Sequence, residues 1–250
     1  MEIDLDDVSV EFCTRNYPLE AEPICALWQY DGTIYLQEDD DEDPTRIGTM
    51  LIYRLLPAVA HDAGVSLRDA LDYISEDTAQ YIALLDDEGT EFNEDVRKQY
   101  DGCICSSLLI LDSVEIDQAY RGHGIGLLAA RHAIELAENG ALVACRPFPL
   151  QFAGYQGEEW KRDHPNLGQQ AFEAALEKLR RYCERLGFSQ YLPTDIWCLS
   201  TEVQIPNIDD IASGRYAETA RKPRRARHRP MLYSPTVSAR IPGDGYRPEY

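Results

Sequence analysis

The sequence predicts an α/β fold, with a mixed and mostly antiparallel sheet flanked by helices, in one large domain spanning residues 1–204. Three observations predict it. Before residue 57 the chain holds several β-rich runs and no helical period. Between residues 105 and 145 an apolar strand, a glycine loop, a long apolar helix and a second apolar strand follow one another, the pattern of a right-handed crossover between parallel strands. A further amphipathic helix and a pair of short strands then close the pattern by residue 200.

Taken in order, Val8 to Thr14 alternates and reads as a first strand. Ile24 to Gln37 holds two β-rich runs around Asp31-Gly32, a dipeptide that favours a tight hairpin turn. Ile47 to Leu56 reads as the next strand, stopped by Pro57. From Ser66 the period becomes helical through Leu67, Leu71, Ile74, Tyr81, Ile82 and Leu85, and Ser66 with Asp69 resembles a capping box. Residues 58–100 are therefore expected to form a helical insertion before the central strand. Cys105 to Ile116 is apolar enough for a strand covered on both faces. The helix after the glycine loop shows one polar stripe, Arg131, Glu135 and Glu138, and stops at Asn139-Gly140. Ala141 to Cys145 is the next buried strand. Phe172, Ala175, Leu176, Leu179, Cys183 and Leu186 mark a helix closed by Gly187, and Phe188 to Leu192 with Asp195 to Ser200 read as the closing pair.

The chain is 250 residues long, enough to bury a sizeable core, and carries a net charge of −20. That charge is uneven: residues 1–100 hold 25 acidic and 6 basic side chains. Such a surface repels nucleic acid, whose phosphates need Lys and Arg, and attracts cationic molecules. The run Glu38 to Asp43 fits a solvated loop. No apolar stretch is long enough for a membrane span, and the acidic start does not resemble a targeting segment, so a cytoplasmic protein is expected. The seven cysteines form no C-x-x-C pair and the five histidines are scattered, so reduced thiols and no metal site are expected. Residues 205–250 form a Pro/Arg-rich tail; Arg221 to Arg229 packs six bases into nine residues, and a solvated tail is the expectation.

The segment Arg121-Gly-His-Gly-Ile-Gly126 joins strand to helix. Glycines there let backbone amides approach a ligand, and the helix N-terminus favours an anion, so a phosphate or pyrophosphate is the ligand expected. Arg121 adds a charge-assisted donor. A P-loop would need Gly-Lys-Ser/Thr at the helix start, where this chain has Gly126-Leu127-Leu128, and a dinucleotide fingerprint begun at Gly122 would need glycine where Leu127 stands.

The loop resembles the R/Q-x-x-G-x-G/A motif of the GNAT superfamily of N-acetyltransferases. Leu111 to Tyr120 is similar to that family's central strand, Tyr182 to Phe188 to its late helix ending in Gly-Phe, and Asp195 to Ser200 to its last strand. The resemblance implies a GNAT-type fold in which Arg121, Gly122, His123, Gly124, Ile125 and Gly126 hold the pyrophosphate of acetyl-CoA. It also implies that the backbone of Val114, Glu115 and Ile116, where the central strand splays from its neighbour, holds the pantetheine and thioester. Asp112, nine residues before Arg121, is then the first candidate base and Glu115 the second. A charged group in an apolar strand needs a use or a partner. Where many relatives carry an acid tyrosine this chain has Cys183, with Tyr182 one step along, a rotation of about 100° on a helix. The activity implied is direct transfer of acetyl from acetyl-CoA to an amine, and the acidic N-terminal part points to a cationic acceptor, a small molecule or a basic peptide. The alternative, which the absent tyrosine favours, is a non-catalytic acyl-CoA-binding or protein-interaction module. The sequence leaves room for a homodimer.

Overall fold

A computed structural model describes residues 3–16, 24–37, 43–100, 106–137, 140–152 and 168–202. The basic tail, most of the acidic run, the start of the predicted strand at Cys105, and Glu138 and Asn139 lie outside the described residues.

Seven strands form one mixed sheet: β1 (Val8–Asn16), β2 (Leu27–Leu36), β3 (Thr45–Leu55), β4 (Leu108–Ile116), β5 (Leu142–Cys145), β6 (Ser189–Gln190) and β7 (Trp197–Ser200). Their order is β1-β2-β3-β4-β5-β7-β6. Among the described residues only β4 and β5 run parallel, as expected for strands joined through a helix, here α5 (Ile125–Glu135). The α/β reading of the sequence therefore holds: the sheet is flanked by helices on both faces.

The expected hairpin turn is corrected here. Asp31-Gly32 is not a hairpin turn but the middle of β2, paired with Cys13 and Phe12 on one side and with Leu51 and Met50 on the other. The glycine is there for packing. A Cβ on Gly32 would lie 2.3 Å from Cγ of Met50 and 3.2 Å from the Phe12 ring, so Met50 lies across the strand where a side chain would be. Asp31 is held by Arg15 Nε at 2.7 Å and by the Gln29 side chain at 3.0 Å, which lets an acid sit mid-strand.

Between β3 and β4 the chain covers one face of the sheet with α1 (Pro57–Ala63), α2 (Leu67–Ile74), α3 (Glu76–Ala79), a 3-10 turn (Gln80–Leu84) and α4 (Glu94–Gln99). This is the expected helical insertion, in pieces. Ser66 does cap α2, accepting from the Arg68 amide at 3.1 Å, but the reciprocal capping pair is Ser75 with Thr78, not Ser66 with Asp69. Leu67, Leu71, Tyr81, Leu84 and Val96 pack with Tyr53, Leu108, Ile110, Leu142 and Ala144 into one core. Each fully buried leucine contributes about 1.5–3 kcal/mol, so this segment is held by burial rather than by helix propensity.

The opposite face carries α5 and α6 (Gln169–Arg185). Leu127, Leu128 and Ile134 of α5 pack with Leu109, Leu111, Val143, Trp197 and Leu199 into the second core. The sheet is thus a partition between two apolar layers. No helix among the described residues is long and apolar enough to cross a membrane.

Candidate functional site

The site begins with one extra residue in β4. Leu111 pairs with Ile52 and Ser113 pairs with Leu51, so Asp112 is left over as a bulge. Bulges bend a strand and sharpen its twist. β5 pairs with Leu108 to Leu111 and ends at Cys145, so from Asp112 onward β4 is bonded to β3 alone. The two parallel strands therefore fork at Asp112.

The phase of the β3–β4 ladder decides which backbone groups the fork exposes. The Asp117 amide donates to Ile47 O at 2.9 Å, so Ser113 and Glu115, two and four residues earlier, also turn their amides and carbonyls toward β3. Those of Val114 and Ile116 face the open side. Ile116 O accepts from Arg121 Nε there at 2.7 Å, in keeping with that phase. The expectation that Glu115 contributes backbone donors is corrected accordingly: its backbone belongs to the ladder, although the residue lines the cleft.

Beside the fork the glycine loop enters α5. Gly122 and Gly124 have φ of 93° and 87°, a region costly for residues with a Cβ, and Gly124 is the N-cap residue. Gly126 has an ordinary helical φ. A Cβ there would meet nothing closer than Ile116 Cγ1 at 3.8 Å, and one on Gly122 would meet nothing within 4 Å. The protein itself leaves space over this loop. Leu127 and Leu128 amides return to Gly124 O, at 3.0 and 3.1 Å, while the amides of residues 122–126 donate to no carbonyl of the described residues.

Fork and loop open into one cleft of about 630 Å³. Its floor is Glu115, Ile116 and the loop with Arg121, Gly122, Gly124, Ile125 and Gly126. One wall is Phe148 to Gln151, the segment after β5, and the other is α6 through Ala175, Lys178, Leu179 and Tyr182. Arg121 and Lys178 supply positive charge; Lys178 Nζ also sits 5.7 Å from the centre of the Tyr182 ring. Of the predicted residues, Val114, His123, Asp112 and Cys183 do not line this cleft. Val114 packs against the core under α5. Cys183 faces Cys145, Sγ to Sγ 3.7 Å, and that contact with burial raises the Cys145 pKa well above a free thiol's.

On the far face of the fork lies a second group of side chains. Asp112 keeps access to solvent, yet loss of hydration raises its pKa above the ordinary 3.8, and Asp77 of α3 adds to the rise. Arg146, just beyond β5, bonds Asp195 at 2.7 Å and approaches Asp77 at 3.8 Å. That bond holds the Asp195 carboxyl below its ordinary pKa. Among the described residues no cluster of three or more side chains suits a metal ion.

Sequence reasoning did not find the α6 wall as a wall. Ala175, Lys178, Leu179 and Tyr182 follow the i, i+3, i+4, i+7 spacing of one helical face, whereas the sequence marks Phe172, Ala175, Leu176, Leu179, Cys183 and Leu186 as the apolar face. In the structure α6 has no fully buried residue, and Ala175 and Leu179 of its apolar stripe line the cleft. Comparison with family models, with curated proteins and with solved structures finds no match for this chain.

Proposed function

We propose that this chain is an N-acyltransferase of GNAT type that transfers acetyl from acetyl-CoA to an amine. The observation that carries the reading is the fork: a bulged strand with an unpaired edge opens into the same cleft as a glycine loop at a helix N-terminus. The residues present fit such a co-substrate. A pyrophosphate needs converging amides, the positive end of a helix dipole and a cation, and residues 122–126, α5 and Arg121 supply them. A pantetheine arm is an extended chain with amides of its own, and the open-side backbone groups of Val114 and the amide of Ile116 are what such an arm pairs with.

Asp112 is the base in this reading. Its raised pKa makes it a better proton acceptor from an amine than an ordinary aspartate would be. Glu115, on the cleft side, is the alternative base. Tyr182 lies along the α6 wall, where it contacts the co-substrate, and Cys183 is turned to Cys145. Asp77 and Asp112 together give the far side of the fork a negative field, which favours a cationic acceptor, a small molecule or a basic peptide.

Isothermal titration of the protein with acetyl-CoA, with ATP as a phosphate-bearing control, tests the reading. Binding of acetyl-CoA near the micromolar level, about −8 kcal/mol, with ATP much weaker is the expected result. Equal affinity for ATP would make this a nucleotide site, and no binding of either would make the glycine loop a structural turn in a protein-interaction module.

A further inference from the structure

The two walls of the cleft meet at a pair of thiols. Cys145 is the last residue of β5, at the fork and just before the wall of Phe148 to Gln151, and Cys183 follows Tyr182 near the end of α6. Their sulfurs lie 3.7 Å apart, and both residues are half-buried rather than sealed in a core. The topology sets this pair apart from the other described cysteines. Cys198 of β7 belongs to the core under the helical segment, whereas Cys145 and Cys183 both pack against the core on the α5 side. Cys13 in β1 and Cys25 just before β2 lie toward the far edge of the sheet. Near the start of α6, Phe172 packs on Phe148 and Phe152, with ring centres 5.8 and 5.3 Å apart. Between Phe172 and Cys183 the helix turns Ala175, Lys178, Leu179 and Tyr182 to the cleft and has no fully buried residue. A helix held by so little burial is the wall that one bond to β5 can reposition.

We propose that Cys145 and Cys183 are a redox-active pair that narrows the cleft when a peroxide oxidises it; that the narrowed cleft excludes acetyl-CoA rests on the transferase reading. Contact with Cys183 and burial keep the Cys145 thiol protonated at neutral pH, so Cys145 is the donor in that contact and Cys183 the nucleophile. Having lost its proton, the Cys183 sulfur attacks one peroxide oxygen. The S–O bond forms as the O–O bond breaks, and the departing oxygen takes up that proton and leaves as water. The Cys145 sulfur then displaces the hydroxyl of this sulfenic acid, forming the S–S bond and releasing a second water that carries the Cys145 proton. The sulfurs give up two electrons and the peroxide accepts them; a dithiol reductant reverses the change. A disulfide spans only about 2 Å, so the bond draws the end of α6 toward β5 and carries Tyr182 with it. The cleft narrows between Tyr182 and the fork, and its wall no longer yields to an incoming ligand.

The test is treatment of the reduced full-length chain with stoichiometric hydrogen peroxide, with Cys145→Ser beside it, a residue that lines no part of the cleft. Peptide mapping by mass spectrometry reads the link, and calorimetry reads acetyl-CoA affinity before and after oxidation. The expected result is a Cys145–Cys183 link in most molecules and acetyl-CoA affinity lowered about tenfold or more, both reversed by dithiothreitol. Cys145→Ser should bind acetyl-CoA as the reduced parent does, and peroxide should leave that affinity within about twofold. Thiols that stay free under peroxide, or that end in other linkages, overturn the pair. A link that leaves affinity unchanged overturns the closure, and in both cases the transferase reading stands. Absence of acetyl-CoA binding by the reduced parent removes the transferase reading and the control of its co-substrate together.

Discussion

Between Leu108 and Leu111, β4 is bonded to β3 on one side and β5 on the other, and all four side chains are buried. Between Asp112 and Ile116 the same strand is bonded to β3 alone, and none of its side chains is fully buried. Nothing separates the two halves except one bulged residue. The first half belongs to the partition between two cores; the second is an edge placed inside the molecule rather than at its rim. An unpaired edge is ordinarily something a protein covers, so one kept open over a cleft suits a ligand that pairs with it.

The largest effects should fall on the first half. Ile110→Ala removes a fully buried side chain at the centre of the sheet and should cost about 2–5 kcal/mol, whereas Ile116→Ala, at a half-buried position beside the cleft, should cost well under half as much. Urea denaturation of both variants measures the difference. Equal losses would mean that the second half is as tightly packed as the first and that the fork is not an opening.

The second half should answer in function instead. Asp112→Asn is expected to lower acetyl transfer about 100-fold or more while leaving acetyl-CoA affinity unchanged, since the carboxylate is remote from the glycine loop and acts on the amine. Unchanged transfer would remove Asp112 as base and move attention to Glu115.

The glycine loop allows a finer division. Gly124→Ala places a Cβ at φ 87° and should cost about 1–2 kcal/mol of stability. Gly126→Ala meets no strain and no neighbour closer than 3.8 Å, so stability should stay the same or rise by about 0.5 kcal/mol. Its methyl would nonetheless occupy the space over the loop, and acetyl-CoA binding should weaken about tenfold, or 1.4 kcal/mol. Calorimetry and thermal melting of this one variant separate a loop that holds a ligand from a loop that only turns the chain. Unaltered affinity in Gly126→Ala would favour the second.

How much of this was legible follows from where the signals live. The crossover, the glycine loop and Asp112 are local in sequence, and they could be read because strand, loop and helix periods are set by near neighbours. The hairpin at Asp31-Gly32 was misread because the pressure on Gly32 comes from Met50, eighteen residues away, and a dipeptide cannot show it. The α6 wall was hidden for a related reason: an apolar stripe looks the same whether it faces a core or a cleft.

The smallest effects concern two aspartates that titrate in opposite senses. Partial loss of hydration, with the charge of Asp77, keeps the Asp112 pKa above its ordinary 3.8, so the folded protein binds this proton more tightly than the unfolded chain does. Its contribution is therefore absent at low pH and turns unfavourable as pH rises from that value through the raised one. Asp195 is held below 3.8 by its bond to Arg146, so its contribution is favourable above that value and is lost as pH falls through the lowered one. Asp195→Asn should thus cost no more than about 1 kcal/mol at neutral pH, the scale of an exposed ion pair, with the cost shrinking as pH falls below 3.8. Asp112→Asn should instead gain relative to the parent as pH rises from 4 to 7, and Asp77→Asn should shrink that gain by removing the neighbouring charge. Urea midpoints across pH 3 to 7 for the three variants carry the test. If Asp112→Asn lost stability with rising pH, its carboxylate would have a stabilising partner, and the bulge would be a structural ion-pair site rather than the place where a base is kept poised.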